Sequence, residues 1–392
     1  MEKKTPKSGG YGWSKLPHDL LRPIFESLGF PDFRRARIVC WNWHSVSKLT
    51  LPRKTESPWL MLIPEGDNGC VLYNPEEDKV YTTMRDFSGV RFLANSGNWS
   101  LVLDSRSNLY IIDLFSEEKI DLPPLESIKP CKCTLKRVGD KDFERRVYDV
   151  RHTSVSILRT DVMRGRLWVD EKTKEYVVLW FFNEPANCVC FCKNGDDRYT
   201  NIPLRFNIFN RKQAIYDVVL VRGHDLYIQS NRDYIRHLRL CGPQGFEDVS
   251  WSNPVSRRTP CQLHANCDIT VVTSSGEVML VQSILDKTST ERGRSFRVFK
   301  KNPKPNPNQY YVEVDSLGDE SLFLGLRTTV PGIQPNSIYF TSYDSVCWRL
   351  LEDLNMDICV FNLATKTFKS FPRISNMKLK AARWFLPDSC GT

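Results

Sequence analysis

The chain lacks any run of about 18 apolar residues, the length needed to cross a bilayer as a helix, and its mean hydropathy is −0.39. Its first ten residues, MEKKTPKSGG, hold no apolar core and no arginine, so neither a secretory leader nor a transit peptide is expected. Histidine is scarce: the six, at positions 18, 44, 152, 224, 237 and 264, are scattered. There is no G-x-S-x-G, no H-E-x-x-H, no Walker loop and no G-x-G-x-x-G. The acidic cluster Glu76-Glu77-Asp78 reads as a turn rather than an acid–base pair. No catalytic constellation and no cofactor site are therefore expected.

Cysteine is not scarce, but its pattern excludes the usual reasons for having it. Thirteen is an odd number in a chain of 392 residues, and no zinc-type C-x₂₋₄-C pair is followed by a second. Cys131 and Cys133 form C-x-C, and Cys188, Cys190 and Cys192 alternate in CVCFC. That alternation predicts small apolar side chains on one strand face, with no metal and no disulfide framework. A reducing compartment follows, nucleus or cytoplasm, and the single sequon Asn98-Trp99-Ser100 should stay unmodified. Charge is nearly balanced overall, with 55 Lys and Arg against 46 Asp and Glu. Residues 1–56 nevertheless carry eleven basic against five acidic side chains, a net of +6, which suits an acidic partner.

The character of the chain changes near residue 56. Before it the period is helical: Leu20, Leu21, Ile24, Phe25 and Leu28 share one helix face. Pro17 falls where a first-turn proline is tolerated, with Ser14 as a cap upstream, and Gly29 ends the helix. Pro23 is awkward, since an interior proline deletes a backbone hydrogen bond at about 3 kcal/mol unless the helix kinks. Pro31 and Asp32 open a second helix through Phe33, Ala36, Ile38 and Val39, and a third runs from Trp41 to Leu49. A basic linker follows. From Pro58 onward the period is two, with turn punctuation, in at least a dozen short stretches such as Leu101 and Leu103, Val177, Leu179 and Phe181, and Ile338 and Phe340. The segment Asp286–Gln309 holds a basic, proline-rich tip, Lys301 to Asn308, that reads as a solvated hairpin turn. The expected fold class is a small all-α module followed by a large all-β domain. The expected divisions are a basic tail over 1–10, the module over 11–50, a linker over 51–57 and the β domain over 58–392.

An internal repeat narrows the β architecture. LYIIDLFSEEKIDLP (109–123) aligns without a gap on ICVFNLATKTFKSFP (358–372), and VLYNPEEDKVY (71–81) repeats the first part. Recurring hairpins fit propeller blades, which bury their faces against one another. Two stacked sheets also fit the alternation, but the repeat favours a β-propeller, which is the architecture expected for 58–392.

The stretch WSKLPHDLLRPIFESLGFPDFRRARIVCWNWHSVSKL (13–49) resembles the F-box. The match rests on Leu16-Pro17, Asp19, Leu20-Leu21, Ile24, Leu28, Val39-Cys40 and Trp43. WLMLIP (59–64), VLYNP, NLYIIDL with its closing LPPL, VEVDSLGDESLFLG (312–325) and NSIYFTSYD resemble the C-terminal domain of plant KIB-type F-box proteins. The resemblance implies a non-catalytic substrate-recognition subunit of a Skp–cullin–F-box ubiquitin ligase. Leu16, Pro17, Leu20, Leu21, Ile24, Leu28, Val39, Cys40 and Trp43 would meet the acidic Skp adaptor and, through it, the cullin–RING module. The β domain would hold an unidentified target protein. Competing readings are a propeller enzyme, a nucleic-acid binder using the basic head, and a family member that no longer binds the adaptor. The enzyme lacks converging polar or metal-binding residues, and the head lacks interleaved aromatic and basic runs. Neither nucleic acid nor membrane is expected as a partner.

Overall fold

The computed structural model describes residues 12–50, 57–66, 69–83, 85–148, 153–182, 188–203, 215–230, 234–241, 245–249, 255–256, 267–286, 293–306, 309–341 and 358–387. The expected basic tail, and all of the expected linker except Ser57, lie outside them. Three helices come first: α1 (His18–Ser27), α2 (Phe30–Ala36) and α3 (Trp41–Leu49). Pro17 itself caps α1, its carbonyl accepting from Leu20 N at 3.1 Å and Leu21 N at 3.0 Å. Ser14 does not cap it. The proline holds Leu16 extended (φ −60°, ψ 134°), so the helix cannot start earlier. Leu28 rather than Gly29 closes α1, and Gly29 caps α2, with Pro31 in its first turn. Pro23 is accommodated inside α1 on an exposed position, where water can take the carbonyl that loses its partner.

Beyond α3, most of the described residues form strands, arranged as six blade-like units. Blade 1 has the sheet order Leu379–Phe385, Trp59–Pro64, Val71–Asn74, Lys79–Thr82, and blade 2 runs outward through Arg91–Ser96, Trp99–Leu103, Leu109–Asp113 and Lys119–Asp121. Blade 3 comprises Arg164–Val169, Tyr176–Phe182, Cys188–Lys193 and Thr200–Ile202, and blade 4 opens with Ile215–Val221 and Asp225–Ser230. Blade 5 (from Cys267–Val272 to Gln309–Val314) and blade 6 (from Glu320–Phe323 to Thr367–Lys369) join through the parallel pair Val272↔Thr328. A three-stranded sheet, Cys133–Arg137, Asp142–Tyr148 and Thr153–Arg159, stands beside blades 2 and 3. The basic, proline-rich segment expected as a turn extends the strand Gly293–Asn306 as far as Asn306.

Burial decides between propeller and stacked sheets. A sandwich strand buries alternate residues, yet Trp99–Leu103, Leu109–Asp113 and Tyr176–Phe182 are buried at every position. The outermost strands Lys119–Asp121 and Thr367–Lys369 are exposed or half-exposed throughout. Middle strands covered on both faces, with wet outer strands, are what blades packed face to face produce. The core accordingly lies in seams between blades. Trp59, Phe92, Tyr110 and Phe385 fill the seam between blades 1 and 2. Leu101, Trp180, Tyr199 and all three cysteines of CVCFC fill the next, as the alternation predicted. Asn98 of the sequon is 0% exposed, so the fold covers the acceptor side chain.

The internal repeat is a capped hairpin. Asp113 Oδ1 accepts from Phe115 N (2.8 Å) and Ser116 N (2.9 Å), and Asn362 Oδ1 does the same with Ala364 N (3.1 Å) and Thr365 N (2.9 Å). Asn74 caps its turn alike, and so does Asp170, in a fourth copy that the alignment missed. Four residues after each, Asp78, Glu117, Lys174 and Lys366 adopt φ between 49° and 61°. A short oxygen-bearing side chain opens the turn and a left-handed residue closes it. The ring is closed by the last strand. Leu379–Phe385 pairs with Trp59–Pro64 in the register Leu60↔Trp384 and Leu62↔Ala382, so blade 1 takes its inner strand from the far end of the chain.

Candidate adaptor-binding surface

The helical module has a small core of its own. Leu21, Phe25, Phe33, Ala36 and Val46 are buried, and Leu16, Ile24, Leu28 and Trp43 pack around them. Phe25 stands edge-on to Phe33 at 5.2 Å and to Trp43 at 5.7 Å. Two side-chain bonds tie the segment before α1 to the start of α3. Asn42 Nδ2 donates to Leu16 O at 2.7 Å, and Trp43 Nε1 donates to Trp13 O at 2.9 Å. His18 Nε2 lies 2.7 Å from Asn42 Oδ1 in the same seam.

This stitching gathers one end of the module. Helix α2 stops at Ala36, so Ile38 and Val39, expected inside it, stand in the turn that leads to α3. Trp13, Leu20, Ile38, Val39 and Trp41 are 71%, 54%, 62%, 58% and 80% exposed, and Pro17 is exposed beside them. So many large apolar side chains on a module this small is the mark of a partner surface. Of the nine residues expected to meet an adaptor, Pro17, Leu20 and Val39 lie open, and Leu16, Ile24, Leu28, Cys40 and Trp43 are half-buried. Leu21 must be reassigned: at 0% exposed it belongs to the module's own core. Sequence reasoning missed Trp13, Ile38 and Trp41. A helical period assigned to residues 36–39 hid Ile38, and only the helix stop at Ala36 turns it outward.

The opposite side of the module docks on the propeller. Arg34 of α2, 8% exposed, donates from a terminal nitrogen to Asp113 Oδ2 at 2.9 Å. Arg35 donates to Thr82 O at 2.9 Å, and Pro31 is buried. Asp113 thus does two jobs. One oxygen caps the blade 2 hairpin and the other holds the helical module, while Glu171 adds a second carboxylate 3.9 Å from Arg34. Asn occupies the cognate position in two of the four hairpins, so capping alone needs no charge. Arg34→Gln would strand a carboxylate that is 1% exposed, and breaking a buried pair in this way costs about 3 kcal/mol. Adding Asp113→Asn keeps the turn acceptor and removes the charge, so the double variant is expected to regain part of that loss. Thermal unfolding of the two single variants and the double checks this, and strict additivity would contradict the pairing.

Comparison with known proteins agrees with this two-part build. Residues 13–54 match the F-box domain and residues 72–362 match the KIB1-4 beta-propeller. Among curated relatives, the F-box protein At2g14290 of Arabidopsis thaliana is 51% identical over 96% of this chain and 97% of its own length. F-box proteins At5g25290 (47% identical, 96% and 97%) and At2g14500 (48% identical, 86% and 96%), both from Arabidopsis thaliana, are similar along nearly their whole lengths. An F-box module with an exposed apolar end, clamped to a β-propeller of the KIB1-4 type, places this chain in the plant family of F-box proteins with a KIB1-4 propeller.

Proposed function

We propose that the chain is the substrate-recognition subunit of a Skp–cullin–F-box ubiquitin ligase. Its F-box docks the Skp adaptor, and its propeller presents a target protein, in the nucleus or cytoplasm. The observation that carries this reading is the set of open apolar side chains, Leu20, Val39 and Trp41 foremost, on a module whose core is already complete without them. Removing such surface from water drives association. The buried Arg34–Asp113 clamp supports a fixed relation between adaptor and target, which ubiquitin transfer across a gap requires. Membership of the F-box family points the same way.

A subunit of this kind needs no nucleophile, and Cys70, Cys133 and Cys192 suit the role of nucleophile poorly. Burial raises the thiol of Cys70 far above its ordinary value, and it pushes Cys192 up to about 12. A hydrogen bond with Cys188, then burial, raises the thiol of Cys133 far above its ordinary value. Each stays a thiol at neutral pH, and a thiol does not attack. The purified chain mixed with charged conjugating enzyme is therefore expected to form no ubiquitin thioester. Adding adaptor and cullin–RING module should give modification of a captured target. A thioester on the isolated chain, abolished by changing one cysteine, would contradict the proposal.

A further inference from the structure

The axis of the propeller holds a cavity of about 280 Å³. It lies where the inner strands of blades 1, 2 and 3 begin, beside the turn that carries Arg327. Arg91, Arg164, Arg166, Arg327, Lys380 and Arg383 all line it, against one wall carboxylate, Asp161. Asp161 is also engaged by Arg159 at 3.0 Å and Lys141 at 3.2 Å. A second acid, Asp217, is 0% exposed and is shared by Arg166 and Arg327, each at 2.9 Å. Among the described residues, six cations therefore line one small space that has a single carboxylate in its wall.

Some of these arginines also staple the ring. Arg91 donates to Met163 O at 2.8 Å, Arg166 to Val218 O at 2.6 Å and Arg383 to Phe92 O at 3.2 Å, each across a blade seam. Arg91 gives a second donor to Thr160 O, Arg166 gives further donors to Gly165 O and Asp217, and Arg327 gives one to Leu324 O. Stapling does not require the guanidinium groups to crowd around a void. The crowding has a consequence at Arg166. Burial lowers its pKa, Asp217 opposes this, and Arg327, Arg164 and Arg383 lower it further, to about 9. An anion in the cavity would relieve that repulsion, and guanidinium groups match the oxygens of phosphate and carboxylate in pairs. Ile63, Phe92, Met163 and Ala381 supply apolar wall between the charges, which favours an anion carried on an organic body over a bare hydrated ion.

The register places this site away from the F-box clamp. Arg91 pairs with Leu103 at the cavity end, whereas Ser96 pairs with Trp99 and Trp99 with Asp113 at the clamp end. Five residue steps along a strand amount to roughly 17 Å. Both sites can be filled at once.

We infer that the axial cavity binds an oxyanion, a phosphate or carboxylate group borne on a small apolar body. The group arrives on a free small molecule or on a side chain of the captured target. The inference rests on the propeller and stands whether or not the F-box docks an adaptor. The test titrates the full chain by calorimetry with phenyl phosphate, benzoate and benzylamine. Phenyl phosphate or benzoate should bind saturably at one per chain, at least tenfold more weakly in 0.5 M than in 0.05 M NaCl, and benzylamine should not bind. Lys380→Glu, on the exposed rim, should weaken the anion at least tenfold with the melting temperature unchanged, and Arg164→Gln should act in the same direction. To separate the sources, a phosphotyrosine peptide that binds at least tenfold more tightly than phenyl phosphate points to a target side chain. A mass adduct on the chain purified from plant tissue, lost in Lys380→Glu, points to a free ligand. No saturable anion binding, equal binding of benzylamine, or full binding by the folded Lys380→Glu chain would overturn the inference.

Discussion

Replacing Trp384 by alanine is expected to destabilise the propeller by about 3–5 kcal/mol, the usual loss for deleting a buried tryptophan. Trp384 is 2% exposed on the strand that closes the ring. It stands edge-on to Tyr339 at 5.0 Å and to Phe371 at 5.5 Å, and its Nε1 donates to Phe340 O at 3.2 Å. The substitution leaves a cavity where blade 6 meets blade 1 and removes the hydrogen bond to Phe340 O. The loss falls on the one seam that joins the two ends of the chain, so the whole ring should feel it. Differential scanning calorimetry should show a fall in melting temperature on the order of 10 °C. Val155→Ala, 56% exposed on the accessory sheet, should stay within about 0.5 kcal/mol of the parent. Equal melting of the two variants would mean that the last strand does not close the propeller.

The two-part fold was legible because period and punctuation change together near residue 56. The helical stretch 20–28 buries Leu21 and Phe25 of its expected face but leaves Leu20 open, and the stretches after Pro58 form the strands their period announces, several of them buried at every position. The propeller was legible through the internal repeat and not through the alternation, which marks strands in a sandwich as well. The choice between the two turns on whether polar positions such as Ser100, 0% exposed, are covered as well, and that depends on neighbouring blades. The repeat was visible in two full copies and one partial one through Asp113, Asn362 and Asn74. Their role as turn caps follows from the hydrogen bonds, and the second role of Asp113 could not be read at all, because its partner Arg34 lies 79 residues away.

The adaptor surface was legible in kind more than in detail. Leu20 and Leu21 are adjacent and chemically identical, yet one is 54% exposed and the other fully buried, because a 100° step along a helix separates core from surface. Trp13 and Trp41 gave no signal, since neither belongs to the spaced apolar pattern. The axial cations were invisible for another reason. Arg91, Arg166, Arg327 and Arg383 are spread over nearly 300 residues and meet only when the ring closes.

The central claim is that the open apolar end of the F-box captures a Skp adaptor. Leu20→Ala with Val39→Ala removes two anchors that the chain's own fold does not use, so any loss reports on the partner. An anchor at the centre of an interface is worth about 2 kcal/mol or more, roughly thirty-fold in affinity. The measurement is the affinity of the purified full chain for the adaptor, by calorimetry or surface plasmon resonance, with Leu49→Ala at the far end of α3 as control. The account predicts tight binding by the parent and by Leu49→Ala, and at least a thirty-fold loss in the double variant at unchanged melting temperature. Equal affinity of the double variant and the parent, or no binding by the folded parent, would contradict it.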